Sequence, residues 1–391
     1  MILSKSTSQK LLIFFGFLFS FALMPIGGNR VSIIVFSLLA FWLLYDKSLR
    51  LTKSTILLYL APFYIWLIIS IIPVVHLEGG LNLTDYFSTF VTSFFVILSF
   101  SLSLLILSSK RELIDVAIWA IYISGIILSF GVTIKYGTDL FETRERIRFL
   151  FSNPNGFAVA LSFSFIGALM LMVRIKLSFW CKVFIIISML FIVTLILQTG
   201  SRKAFLTCLI VLAGYVIHLM RDSSRPKQIL FLFGFTIVAI NFLAFDYFTE
   251  SKVYERSFEG SADDSLRAMI YKSVPDILSS KPFFGHGHAQ FSELFYLPIY
   301  SHSTLVEVVI TSGLIGFVFF FIPFISLLIY SLKRFLLVYR SAQHSPFLNL
   351  SIILSLLALM LTLIIFLMPN FMIFLALLIA DRQNITRTDR L

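Results

Sequence analysis

Long apolar runs separated by short polar stretches repeat along nearly the whole chain. A hydrocarbon core of ~30 Å takes about 20 apolar residues per helix. On that measure the pattern predicts spans near 11–28, 31–45, 55–75, 87–107, 113–134, 155–173, 180–197, 204–220, 229–247, 303–330, 347–365 and 369–380. The last two share one apolar stretch interrupted at Pro369-Asn370, which reads as two helices or as one long helix with a half-span. The first 28 residues lack a cleavage site and are expected to remain as a first helix. An even number of spans puts both termini on one side of the membrane.

One polar interruption is much longer than the rest. Residues 248–302 separate the ninth and tenth expected spans, and a connection of that length is usually functional. Within it Asp263 or Asp264 is placed to cap a helix running to about Leu278. Leu266, Met269, Ile270, Ser273 and Ile277 follow the spacing of one apolar helical face, with Arg267, Tyr271 and Val274 on the neighbouring stripe. The expectation is a helix at the outer interface with Arg267 at its edge, kinked or shortened by Pro275.

Composition agrees with the pattern. Of 391 residues 59% are hydrophobic and only 13% charged, with a mean hydropathy of +0.96. A water-soluble chain of this size has no means of hiding that much apolar surface. The fold class is therefore an all-α polytopic membrane protein of about 12 transmembrane helices, a single integral domain over 1–391 with the loop 248–302 inserted. The 45 Phe residues suit lipid-facing helices, and Cys181 and Cys208 both fall in expected spans, so no disulfide framework is implied. The formal net charge of +11 does not point to nucleic acid, because its distribution follows the membrane. The loops on the side of the termini hold 19 of the 31 Lys and Arg residues against 6 of the 20 acids, counting Asp115 just inside the fifth span, which makes that side cytoplasmic and the long loop periplasmic.

Positive charge on the outer side runs against this bias and invites a partner. It occurs at Arg144, Arg146 and Arg148, at Arg202-Lys203 directly after Gly200-Ser201, and at Arg267. Guanidinium groups hold phosphate oxygens bidentately at any working pH, so several converging ones suit a diphosphate. The plainer alternative is snorkelling to lipid headgroups or pairing with Asp139, Glu142 and Glu145. His302 stands at the start of the tenth span, where exposed N–H groups disfavour the imidazolium, and a neutral ring there is suited to take a proton from a hydroxyl. Capping alone is the plainer alternative. Glu307 is a carboxylate inside the same span, and such a group normally has a partner. Gly313 and Gly316 suit close helix packing. His286 and His288 with His302 make a weak metal signal, with no Cys and no fixed third ligand. No Walker sequence, dinucleotide fingerprint or Ser-His-Asp spacing is present.

Four stretches taken together resemble the O-antigen polymerase and O-antigen ligase superfamily of bacterial inner-membrane glycosyltransferases. They are Arg148-Phe-Leu-Phe-Ser-Asn-Pro-Asn-Gly-Phe-Ala158; Thr199-Gly-Ser-Arg-Lys-Ala204; Leu266-Arg-Ala-Met-Ile-Tyr271 with Lys281-Pro-Phe-Phe-Gly-His-Gly287; and Ser301-His-Ser-Thr-Leu-Val-Glu307 running into Gly313-Leu-Ile-Gly316. The resemblance implies a GT-C-like membrane fold acting on glycans linked to undecaprenyl diphosphate without a metal ion or other cofactor. It implies that Arg202 and Arg267 hold the diphosphate and that His302 activates the acceptor hydroxyl. Arg144, Arg146, Arg148, Lys203, Tyr271, His288 and Glu307 are the candidate substrate-binding residues. Relatives often carry Asn after the His, whereas Ser303 stands here.

The function expected is a polysaccharide polymerase that moves a growing glycan from its lipid carrier onto another lipid-linked repeat unit, with inversion at the anomeric carbon. The Asn153-Pro-Asn-Gly156 stretch and the short chain favour this over an O-antigen ligase acting on lipid A-core or protein. A transporter or flippase is the alternative of another class, but the inverted repeats and broken helices usual there are not read in this chain. A chain-length regulator, a flippase and the bilayer itself are the expected partners.

Overall fold

In a computed structural model the protein is all-helical among the described residues, which are 5–22, 28–45, 51–75, 83–137, 147, 149–151, 153–222, 262–290, 294, 301, 303–337 and 346–388. The helices are α1 (Lys5–Ala22), α2 (Gly28–Tyr45), α3 (Lys53–Ile69), α4 (Leu83–Leu107), α5 (Arg111–Tyr136), α6 (Pro154–Arg174), α7 (Phe179–Thr199), α8 (Arg202–Asp222), α9 (Ala262–Ser280), α10 (Thr304–Leu337), α11 (Pro346–Met360) and α12 (Pro369–Thr388). Six of them, α4 to α8 and α10, are long and apolar enough to cross a membrane, while α1, α2, α3 and α11 contain shorter apolar stretches. Each expected span except the one at 229–247, which lies outside the described residues, falls on a helix. The chain divides into two compact units.

The first unit comprises residues 1–32, 115–260 and 328–359. Its core is α6, in which every residue from Phe157 to Leu171 is buried. The helix starts where Asn153 Oδ1 accepts the Gly156 N–H at 2.7 Å and Pro154 occupies the first turn, where a missing N–H costs nothing. Small residues let α5 approach: the Ser164 hydroxyl donates to the Ile121 carbonyl at 2.7 Å, and a side chain at Gly125 would strike Ser164. Arg174 Nε donates to Asp115 Oδ1 at 2.9 Å, tying the end of α6 to the start of α5.

The second unit comprises residues 33–114, 261–327 and 360–391. Here α12 is the enclosed helix, buried from Asn370 to Asp381. Phe63, Trp66, Phe100, Phe320 and Phe366 form its ring cluster, with Trp66 and Phe320 centroids 4.9 Å apart. Phenylalanine thus fills this core as well as covering outward faces such as Phe41 and Phe130.

The terminal apolar stretch forms two helices. α11 stops at Met360, five residues before the expected end, and irregular backbone follows to Met368 with a 3₁₀ turn at Ile365–Leu367. Irregular backbone in apolar surroundings must have its polar groups met internally. Thr304 does this: its hydroxyl donates to the Leu363 carbonyl and accepts the Ile365 N–H at 3.0 Å.

A second irregularity contradicts the expectation of unbroken helices. α10 is interrupted at Gly313, whose φ of 63° and ψ of −169° lie outside helical space. The groups released there are taken up by the turn 281–287. The His286 and Gly287 amides donate to the Ile310 and Thr311 carbonyls at 2.7 and 2.9 Å, and the Leu314 and Ile315 amides donate to the Pro282 and Phe283 carbonyls at 2.8 and 3.2 Å. Gly313 therefore admits a backbone: a Cβ there would lie 2.3 Å from the Phe283 carbonyl. Gly285, at φ 70°, is restricted in the same way by Gly313 and Ile310.

α9 also departs from expectation. It begins at Ala262, so Asp263 and Asp264 lie within it and neither is the cap. It continues through Pro275 to Ser280. Its buried side is centred on Ile270, packed with Val274, Val306, Val309 and Ile310, while Met269 is 51% exposed. The contact with α10, absent from a periodicity argument, selects that face.

Candidate active site

α7 ends in a left-handed turn at Gly200, whose φ is 66°. The Thr199 hydroxyl donates to the Ile196 carbonyl at 2.6 Å, and its oxygen accepts the Ser201 N–H at 3.2 Å. This reversal makes Arg202 and Lys203 the first residues of α8, both half-buried and both engaged in interactions. Two cations at the start of a helix, where the dipole is positive, give a region suited to an anion. Arg202 and Lys203 belong to the first unit. Arg144, Arg146 and Arg148 lie outside the described residues.

The remaining candidates belong to the second unit. Arg267 is on α9, its side chain outside the described residues, and Tyr271, one turn further, is 41% exposed. His286 has its Nε2 3.2 Å from the Ile277 carbonyl and 3.3 Å from Ser280 Oγ, holding the end of α9. Burial lowers its proton affinity, the Ile277 carbonyl opposes that shift and Lys281 adds to it.

His288 is fully buried. Trp66 meets its ring edge-on at 5.4 Å, and Tyr86, Phe90 and Phe366 surround it at 6.0 Å. Neither ring nitrogen has a hydrogen-bonding partner among the described residues. Desolvation pushes the imidazole down to about 3, so the ring is neutral, and edge-on contact with an indole offers its N–H only a weak interaction. In this arrangement the side chain faces rings and no open surface.

His302 lies outside the described residues, but its neighbours are fixed. The Ser301 hydroxyl donates to Glu307 Oε2 at 2.7 Å, and Ser301 Oγ accepts the Ser303 N–H at 3.2 Å. Glu307 is 5% exposed, so the carboxylate expected to have a partner has found it six residues upstream. Sequence reasoning passed over Ser301 and Thr304, which hold this turn. The signal available was a hydroxyl on each side of a buried carboxylate's helix start.

No protein of established annotation matches the chain. The family model described as O-antigen ligase matches residues 186–321, a segment that includes Arg202, Lys203, Arg267, Tyr271, His288, His302 and Glu307 and leaves out Arg144, Arg146 and Arg148. The match supports the superfamily that the four motifs resemble, and three of those four stretches lie within the matched residues.

Proposed function

We propose that the protein is a metal-independent, inverting polysaccharide polymerase of the bacterial inner membrane. It has about twelve spans in a GT-C-like fold, both termini in the cytoplasm and its active site toward the periplasm. The observation that carries this reading is that one family match spans Arg202, Arg267 and His302 together. The acceptor sugar's hydroxyl attacks the anomeric carbon of the donor glycan and yields its proton to the His302 imidazole. The bond to undecaprenyl diphosphate breaks, and the Arg202 and Arg267 guanidinium groups offset the charge on the departing diphosphate, which is electrostatic stabilisation of the transition state. One of Arg144, Arg146 and Arg148 assists. Direct displacement inverts the anomeric centre. A flippase supplies the lipid-linked units and a chain-length regulator limits the product.

The description of the matched family as a ligase favours a second reading, in which the same donor and site serve transfer to lipid A-core. The test replaces Arg202, Arg267 and His302 singly with Ala and examines surface glycan. Loss of long chains, with lipid A-core carrying one repeat unit, is the outcome expected of a polymerase. Loss of all attached glycan points to the ligase, and normal chains in all three variants overturn both.

A further inference from the structure

The turn before α10 is closed by a ring of buried hydrogen bonds. Glu307 receives the Ser301 hydroxyl at 2.7 Å and also the Ser301 backbone N–H. Ser301 Oγ accepts the Ser303 N–H at 3.2 Å, and the Ser303 carbonyl accepts the Glu307 N–H at 3.0 Å. Ser301, Ser303, Thr304 and Glu307 are all buried. Beside the ring, Thr304 is fastened to the irregular segment at Leu363 and Ile365.

The Ser301 hydroxyl has one hydrogen and two acceptors within reach, the Ser303 carbonyl at 2.9 Å and the Glu307 carboxylate at 2.7 Å. A carboxylate is the stronger acceptor and draws that hydrogen. It takes both hydrogen bonds from Ser301 and is only 5% exposed, which leaves little of it open to a sugar. The residues immediately before and after position 302 are both members of the ring.

We propose that Glu307 is a positioning residue: acting through Ser301, it anchors Ser301 and Ser303, the chain neighbours of His302. This rests on the reading of His302 as the group that takes the acceptor's proton. Proton transfer needs the base at hydrogen-bonding distance from the hydroxyl, and anchored chain neighbours on both sides serve that need. Loosening that turn lowers turnover without changing what the site binds.

The experiment uses the full chain in proteoliposomes, with lipid-linked glycan extracted from cells lacking the protein as the probe. Glu307→Ala is expected to lower kcat by about 10- to 100-fold, the scale on which a misplaced catalytic group acts, with KM held within about 3-fold. Glu307→Gln, of the same length and still able to bond to Ser301, restores kcat to within about 5-fold of the parent. Added to His302→Ala, Glu307→Ala costs no further activity. A raised KM at unchanged kcat, an unchanged kcat per folded protein, or losses that add to those of His302→Ala would each overturn the proposal. Where Glu307→Ala fails to fold, Ser301→Ala removes one hydroxyl from the same ring and must show the same kcat-only loss. Full activity in His302→Ala defeats the underlying reading, whereas an inactive His302→Ala beside a fully active Glu307→Ala defeats only the positioning role.

Discussion

At the scale of single residues, His288 shows what a linear motif conceals. The sequence offers Gly285-His-Gly-His288 as a pair of available imidazoles. The folded chain gives the two rings separate duties, one against the Ile277 carbonyl and one inside an aromatic enclosure. That enclosure is assembled from residues 66, 86, 90 and 366, too far apart in the chain for any local pattern to announce. Glu307 was legible as a buried carboxylate in need of a partner, because apolar surroundings impose that need, but the identity of the partner depends on how the preceding turn folds. A pH dependence follows for His288. Its ring is held neutral in the folded protein, down to about 3, against an ordinary value of 6.5, so the unfolded chain binds the proton more readily. Stability is therefore full above pH 6.5 and declines as pH falls below it, by up to about 1.4 kcal/mol per unit. Thermal unfolding in detergent at pH 7.5, 6 and 5 should show the decline, and His288→Phe, which suits the enclosure, should flatten it. An equal slope in the variant would assign the effect to other groups.

At the scale of elements, helix positions were legible because each apolar run is long enough to need one. The interruption of α10 was not. The apolar run from Leu314 onward gives no sign of it, and Gly313 alone is compatible with an unbroken helix that packs closely. Only the turn at 281–287, arriving with four backbone partners, makes the break stable. The Asn153-Pro-Asn-Gly156 stretch, taken from sequence as a mark of polymerase chemistry, has a local duty as the start of α6. Asn153→Ala should cost about 1 kcal/mol, as loss of an N-cap does, and lower Tm by a few degrees with the glycan length distribution unchanged. A collapse of that distribution at unaltered Tm would restore a chemical role to the motif.

At the scale of the whole molecule, the division of charge between loops makes the proposed orientation testable. In a chain with Cys181 and Cys208 changed to Ser, Ser279→Cys at the exposed end of α9 should react with an impermeant maleimide on intact spheroplasts. Lys176→Cys, in the short exposed connection between α6 and α7, should react only after lysis. The reverse pattern would put the long loop in the cytoplasm and remove the proposed site from its substrate. The helical layout could be anticipated because hydropathy acts through the bilayer on every span at once. The proposed joint role of Arg202, Arg267 and His302 had no such signal and rests on motif order and the family match.

The junction between residues 281–287 and the interrupted helix is made almost wholly by main-chain atoms. Pro282 and Phe283 contribute carbonyls and His286 and Gly287 amides, groups that other amino acids also carry, whereas Gly285 and Gly313 must stay bare. Tolerance to change should therefore be uneven: side-chain swaps at 283 and 284 are absorbed, while inserting or deleting one residue between 304 and 313 shifts every partner out of register. Homologues drifting apart over time would lose the spelling of this stretch first and its two glycines last.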